Sequence, residues 1–230
     1  AKCSSAAGVP TPPVPPMLAS AFLEIAHGPA CDRPDGKLLV QLREPAMPNY
    51  LFLVTSTREP DHLGNTEWLA RQAAAALPAE AQQTWLHLAR MSLPPFVDQR
   101  HTVGTYPMPE GDLRTLLDAT MACTDLVLVT PVYWYSFPSN LKTYLDHWSA
   151  WLRVPGLGFK DAMAQKRMHV ITTSGDRAKA QPMFDSARLC AQFCGMAYGG
   201  ELWGKGGPPD AVQSDAAAVG QAAQFFKTTG

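Results

Sequence analysis

From Tyr50 onward the chain alternates between two spacings of apolar side chains. Tyr50-Leu51-Phe52-Leu53-Val54-Thr55 is an unbroken apolar run, the pattern of a parallel strand covered on both faces. Thr66 to Leu77 then places Leu69, Ala73 and Leu77 four apart, which predicts a helix opened by Gly64 or Asn65 and closed by Pro78. Thr84 to Ala89 alternates around Leu86 and Leu88, a half-polar strand suited to a sheet edge. Asp112 is the expected cap of a second helix, whose Leu113, Leu116, Leu117, Thr120 and Met121 form one stripe. Asp125 to Thr130 is the most apolar strand and therefore the central one. Ser139 is the expected cap of a helix that turns Leu141, Tyr144, Leu145, Trp148 and Leu152 inward and stops at Pro155-Gly156. Met168 to Thr173, a helix over Gln181 to Cys194, Tyr198 to Trp203 and a last helix aligning Val212, Ala216, Val219, Ala223 and Phe226 complete the pattern. Five strands, each followed by a helix, predict an α/β fold: a doubly wound, five-stranded parallel sheet of order 2-1-3-4-5 with helices on both faces. In that order the chain reverses direction between the first and third strands, so a ligand is expected beyond their carboxyl ends.

The first 48 residues break this rhythm. They hold nine of the 21 prolines, and Val9-Pro10-Thr11-Pro12-Pro13-Val14-Pro15-Pro16 fits an extended polyproline segment rather than a helix or a central strand. Met17 to Ala26 is mildly apolar but interrupted by Glu24, a weak match to a secretory leader. The reading is a Pro-rich, disordered or loosely packed extension over 1–46 and a folded domain over 47–230, with Met47 as a functional start.

Composition narrows the partners. Nineteen Lys and Arg against 20 Asp and Glu leave a net charge of -1, without the clustered cations that a nucleic-acid or anionic-membrane surface requires. Apolar residues make up 46% of the chain, yet no run approaches the roughly 18 consecutive apolar residues of a spanning helix. Five cysteines without a CxxC pair fit a reducing, cytoplasmic setting. Cys190 and Cys194 share a helical face, where two packed core residues are favoured over a metal half-site. The six histidines show no metal-binding spacing and read as structural or solvated, including His62 in the loop after the first strand.

Chemistry gathers where strands end. Ser56, Thr57 and Arg58, then Gly64, Asn65 and Thr66, form a loop of hydroxyls, one cation and one glycine that runs into a helix start, a pattern that suits a phosphate. It is neither G-x-x-x-x-G-K-[ST] nor G-x-G-x-x-G. After the third strand, Pro131-Val132-Tyr133-Trp134-Tyr135-Ser136 sets three aromatics side by side, suited either to stacking on a conjugated ring or to a subunit interface. After the fourth, Thr173-Ser174-Gly175-Asp176 is a tight polar turn, and after the fifth, Gly204 to Pro209 reads by default as a solvent loop, with a lid over the site as the alternative.

On these residues, together with Leu141-Lys142 and Asp146, the chain from Met47 to Phe226 resembles the NAD(P)H-dependent FMN reductases and flavodoxin-like NAD(P)H:quinone oxidoreductases. The resemblance implies a flavodoxin-like fold binding FMN, with NAD(P)H as reductant. Residues 56–66 would hold the phosphate, 131–136 would flank the isoalloxazine, and 174–176 would meet its pyrimidine edge. Thr57 stands where relatives often carry Pro, and Ser136 where many carry a Gly able to adopt positive φ. The cysteine cluster of related iron-sulfur flavoproteins is missing from the sequence, so no cluster or metal is expected. The implied activity is FMN-dependent NAD(P)H oxidation with two electrons passed to a quinone or similar small acceptor, by chemistry of the flavin rather than of a catalytic side chain. A homodimer or homotetramer is implied, with Trp148, Trp151 and Phe159 as candidate contacts to a neighbouring subunit. The alternatives are a flavodoxin-type FMN electron carrier, which the near-neutral charge disfavours, and a non-catalytic binding protein on the same fold. Hydrolysis lacks a G-x-S-x-G elbow.

Overall fold

A computed structural model describes residues 47–58 and 63–227; the Pro-rich segment and His62 lie outside the described residues. Five parallel strands, β1 (Asn49–Val54), β2 (Gln82–His87), β3 (Asp125–Val129), β4 (Arg167–Ser174) and β5 (Ala197–Lys205), form one sheet in the order β2-β1-β3-β4-β5. This is the expected order. In-register pairing sets Leu51 beside Leu126, and Leu126 beside Met168.

Strand side chains alternate between two cores, which is why the central strands carry no polar face. Leu51, Leu53, Leu126, Leu128, Met168 and Val170 pack against α2 (Gly111–Ala122), α3 (Ser139–Trp151) and α5 (Arg177–Phe193). Phe52, Val54, Val127, Val129 and Ile171 face α1 (Asn65–Ala74) and α6 (Ala216–Ala222) on the other side. The edge strand β2 keeps its first three residues exposed, as its half-polar sequence requires.

Several boundaries differ from the sequence reading, each for a local reason. Asp112 does not cap α2: the helix starts at Gly111, and the Asp112 carboxylate accepts the Ser92 N–H at 2.6 Å, tying down the preceding loop. Pro138 rather than Ser139 occupies the position before α3. Helix α5 begins at Arg177 instead of Gln181 because the Asp176 carboxylate caps the Ala178 N–H at 2.9 Å. Pro182 sits inside that helix, forgoing one backbone bond. A short helix α4 (Phe159–Met163) was not anticipated, and the final helical stretch divides into a 3-10 turn at Ala211–Ser214 followed by α6.

The proposed subunit contacts are corrected outright. Trp148, Trp151 and Phe159 are buried in the α2/α3/α5 core, where Trp151 packs edge-on against Tyr144 at 5.6 Å and Phe159 at 5.4 Å. Their aromatic surface is consumed by the protein's own interior, so a charge placed at Trp151 tests folding rather than association.

Candidate functional site

The carboxyl ends of β1, β3 and β4 meet at the reversal in strand order, and two adjoining clefts open there. The first, about 190 Å³, takes Ser56, Arg58 and Gly64 with Asn65 and Thr66 from the first loop, Pro131 to Tyr133 from the second, and Ser174 and Gly175 from the third. The second, about 300 Å³, is lined by Val132, Trp134, Tyr135, Ser174, Gly175, Thr173 and Lys179. Val132, Thr173, Ser174 and Gly175 belong to both, making one continuous site with a polar and an aromatic end.

At the polar end, Gly64 stands immediately before α1 and offers no capping side chain. Among the described residues the N–H groups of Asn65, Thr66 and Glu67 in the helix's first turn therefore have no acceptor. Ser56 Oγ accepts the Arg58 N–H at 3.3 Å, shaping the loop. Arg58 makes no ion pair among the described residues. Glu67 also borders this cleft, but its carboxylate is engaged by Arg71 at 2.5 Å and by His87 at 3.2 Å, which offsets its repulsion of an anion. These are the donors and charge a phosphate dianion would need.

Asn65 and Thr66 serve the scaffold as well. The Asn65 amide donates to Pro208 O at 2.9 Å and accepts from the Val212 N–H at 3.3 Å, pulling the loop after β5 over α1. Thr66 and Thr173 share a hydroxyl bond of 2.7 Å across the cleft floor. The expected solvent loop after β5 is corrected: β5 runs through Gly204 and Lys205, and Gly206 and Gly207 line the polar cleft. A Cβ at Gly206 would lie 2.9 Å from Thr173 Cβ, so only glycine lets this backbone close the floor.

At the aromatic end, Tyr133 and Ser136 exchange backbone hydrogen bonds of 3.1 and 3.0 Å around a two-residue turn. Both turn residues are left-handed, Trp134 at φ 50° and Tyr135 at φ 64°. The positive φ thus falls on two bulky aromatics rather than on Ser136, an arrangement that stores strain. Trp134 is 94% exposed and Tyr135 56%, at the tip of the turn. Tyr133 reaches the first loop through a 3.2 Å bond between its hydroxyl and Thr57 Oγ.

Of the predicted residues, Thr57, Ser136 and Asp176 line neither cleft: the first braces Tyr133, the second closes the turn, and the third caps α5. Sequence reading missed Glu67 and Lys179, named Thr173 only as the start of the turn after the fourth strand, and held Gly206 and Gly207 as a solvent loop with a lid as the lesser alternative. The two glycines were visible as a Gly-rich stretch, whereas Lys179 carried no signal until α5 was seen to start at Arg177.

The fold and the position of the cleft define a doubly wound α/β protein with its candidate site at the switch point. The chain belongs to the flavodoxin-like fold family, whose model matches residues 48–225. It is 30% identical over 167 residues to YwqN of Bacillus subtilis (strain 168), named as an NAD(P)H-dependent FMN-containing oxidoreductase, a match covering 71% of this chain and 90% of that protein. Among solved structures, the Trp repressor binding protein of Bacillus subtilis is similar at a TM-score of 0.59 and 25% identity, over 79% of this chain and 99% of that one. An NAD(P)H:quinone oxidoreductase from Methanothermobacter marburgensis aligns at 0.60 and 16%, over 80% and 98%. An FMN complex of an NADH-azoreductase from Bacillus anthracis aligns at 0.57 and 15%, over 80% and 100%. At such identities these last two likenesses speak for the fold.

Proposed function

We propose that this protein is an FMN-dependent NAD(P)H oxidoreductase that passes two electrons to a quinone or similar small flat acceptor. The observation that carries the reading is the pair of continuous clefts, one with helix-start amides and an Arg58 that find no acceptor or ion pair among the described residues, the other walled by Trp134 and Tyr135. A flavin mononucleotide has the same division, with a phosphate at one end and a conjugated ring at the other. The relative with 30% identity, named for FMN and NAD(P)H, supports it.

In this reading Ser56, Arg58 and the N–H groups of Asn65 and Thr66 hold the phosphate, with Thr57 and Gly64 setting the loop. Pro131, Val132, Tyr133, Trp134 and Tyr135 flank the ring, with Ser136 closing their turn. Ser174, Gly175 and Asp176 present backbone at the pyrimidine edge. Bound FMN would accept electrons from the nicotinamide and deliver them to the acceptor. The protein orients the ring and limits water on its stacked face, and no side chain is asked to transfer a proton. The folded unit is proposed to span 47–230. Among the described residues no helix is long and apolar enough to cross a membrane. A cytoplasmic location fits the free thiols of Cys123, Cys190 and Cys194. A homodimer or homotetramer is proposed, to be read by sedimentation.

The test is the visible spectrum of purified protein with and without FMN, followed by NADH and NADPH oxidation with a quinone and with an azo dye. A retained, perturbed flavin band and acceptor-dependent oxidation are expected. Flavin retention without nicotinamide oxidation would make it an electron carrier, and a colourless protein that ignores FMN would leave a non-catalytic binding protein.

A further inference from the structure

Two-electron reduction leaves negative charge along the N1–C2 carbonyl edge of a flavin, and that charge needs a partner. The turn proposed to face this edge has few groups to spare. Ser174 Oγ donates to the Asp176 carbonyl at 2.7 Å and accepts from Trp203 Nε1 at 2.8 Å. The Asp176 carboxylate is spent on the Ala178 N–H, which also turns its own negative charge toward the helix start. Only the backbone N–H groups of Gly175 and Asp176 remain without an acceptor among the described residues.

One full charge does line the aromatic cleft beside Ser174 and Gly175, that of Lys179. Among the described residues no carboxylate lines this cleft and Lys179 makes no ion pair. Arg177, two residues earlier on α5, is committed elsewhere, to Glu201 at 3.1 Å. Arg58 lies in the polar cleft, where a phosphate would neutralise it.

We propose that Lys179 is the countercharge for reduced FMN, setting how much more tightly the protein holds the reduced cofactor than the oxidised one. The inference rests on the FMN reading above. A unit charge lining a partly solvated cleft interacts with a developing anion in it strongly enough to change that preference about tenfold.

The experiment compares the unaltered protein with Lys179→Ala and Lys179→Arg in two readouts. The first is the two-electron midpoint potential of bound FMN. The second is sulfite affinity, read as bleaching of the visible flavin band, because sulfite addition at N5 leaves negative charge on the same edge. Lys179→Ala is expected to lose about tenfold in preference for reduced FMN, a fall of roughly 30 mV for a two-electron couple. Sulfite should weaken in parallel, and Lys179→Arg should restore both values. Unchanged potential and sulfite affinity in an FMN-loaded Lys179→Ala protein would overturn the assignment. Failure of the unaltered protein to bind FMN would instead overturn the cofactor reading, and this inference with it. Lys179 is exposed on the first turn of α5, so the substitution leaves the core intact.

Discussion

At the scale of single residues, Trp134 shows a conflict between stability and binding. Its left-handed backbone costs on the order of 1 kcal/mol, and its exposed ring gains nothing from the protein's own core. Trp134→Gly should therefore raise the melting temperature of the flavin-free protein by relieving the turn. The same substitution should weaken FMN by about fivefold, because a stacking wall worth roughly 1 kcal/mol is gone. Calorimetry and a fluorescence titration would measure the two effects; a variant that is stabler and binds FMN unchanged would remove Trp134 from the site. Asp125 makes the opposite case, a charge kept for the fold. Burial pushes its carboxyl pKa up, but the His169 ring N–H at 2.9 Å and the Thr124 hydroxyl at 2.8 Å outweigh that, and the net shift is downward. A carboxyl lowered on folding contributes stability above its unfolded pKa near 4, and that contribution is lost as pH falls through the lower folded value. Asp125→Asn should cost on the order of 3 kcal/mol at neutral pH and flatten the acid limb of a stability profile. Urea midpoints taken from pH 7 down to 3 would show it.

At the scale of elements, the fifth strand is shaped by what lies beneath it. The pairing of β4 and β5 shifts between Met168 and His169, where Gly199 and Gly200 form an irregularity with Gly200 at φ 115°. A Cβ at Gly199 would fall 2.2 Å from His169 Cε1, inside the ring that Asp125 and Phe225 hold from other sides. Gly199→Ala should therefore destabilise by roughly 2 kcal/mol through overpacking, while leaving FMN affinity unaltered, since the bulge lies at the opposite end of the sheet from the clefts. The sequence showed Gly199-Gly200 only as part of a short strand over Tyr198 to Trp203. The strands themselves were legible because continuous apolar runs bury on both faces. Helix starts were less so, since Asp112 and Ser139 look like caps but serve a loop and a first turn. The resemblance offered Trp148, Trp151 and Phe159 as interface residues, although the helical stripe already turns Trp148 inward. Lys179 stayed hidden because its place depends on where α5 begins.

For the whole molecule, the order of the strands sets where the candidate site opens, and the loops set which groups line it. Three loops distant in sequence converge because β1 and β3 are neighbours while their helices leave on opposite faces. A ligand bridging those loops binds only the folded chain, so FMN should raise stability by about 2.7 kcal/mol at a free concentration near a hundred times its dissociation constant. Riboflavin, which lacks the phosphate, separates the two halves of the cleft. Arg58→Ala should lose at least about tenfold in FMN affinity, as expected for a hydrogen-bonded charge, yet bind riboflavin as the unaltered protein does. Thermal shifts with the two ligands in both proteins make a four-way comparison. An equal loss for FMN and riboflavin would mean that Arg58 shapes the loop instead of meeting the phosphate. A loss confined to FMN would tie the cation to the phosphate and leave the aromatic turn, Tyr133 to Ser136, to hold the ring.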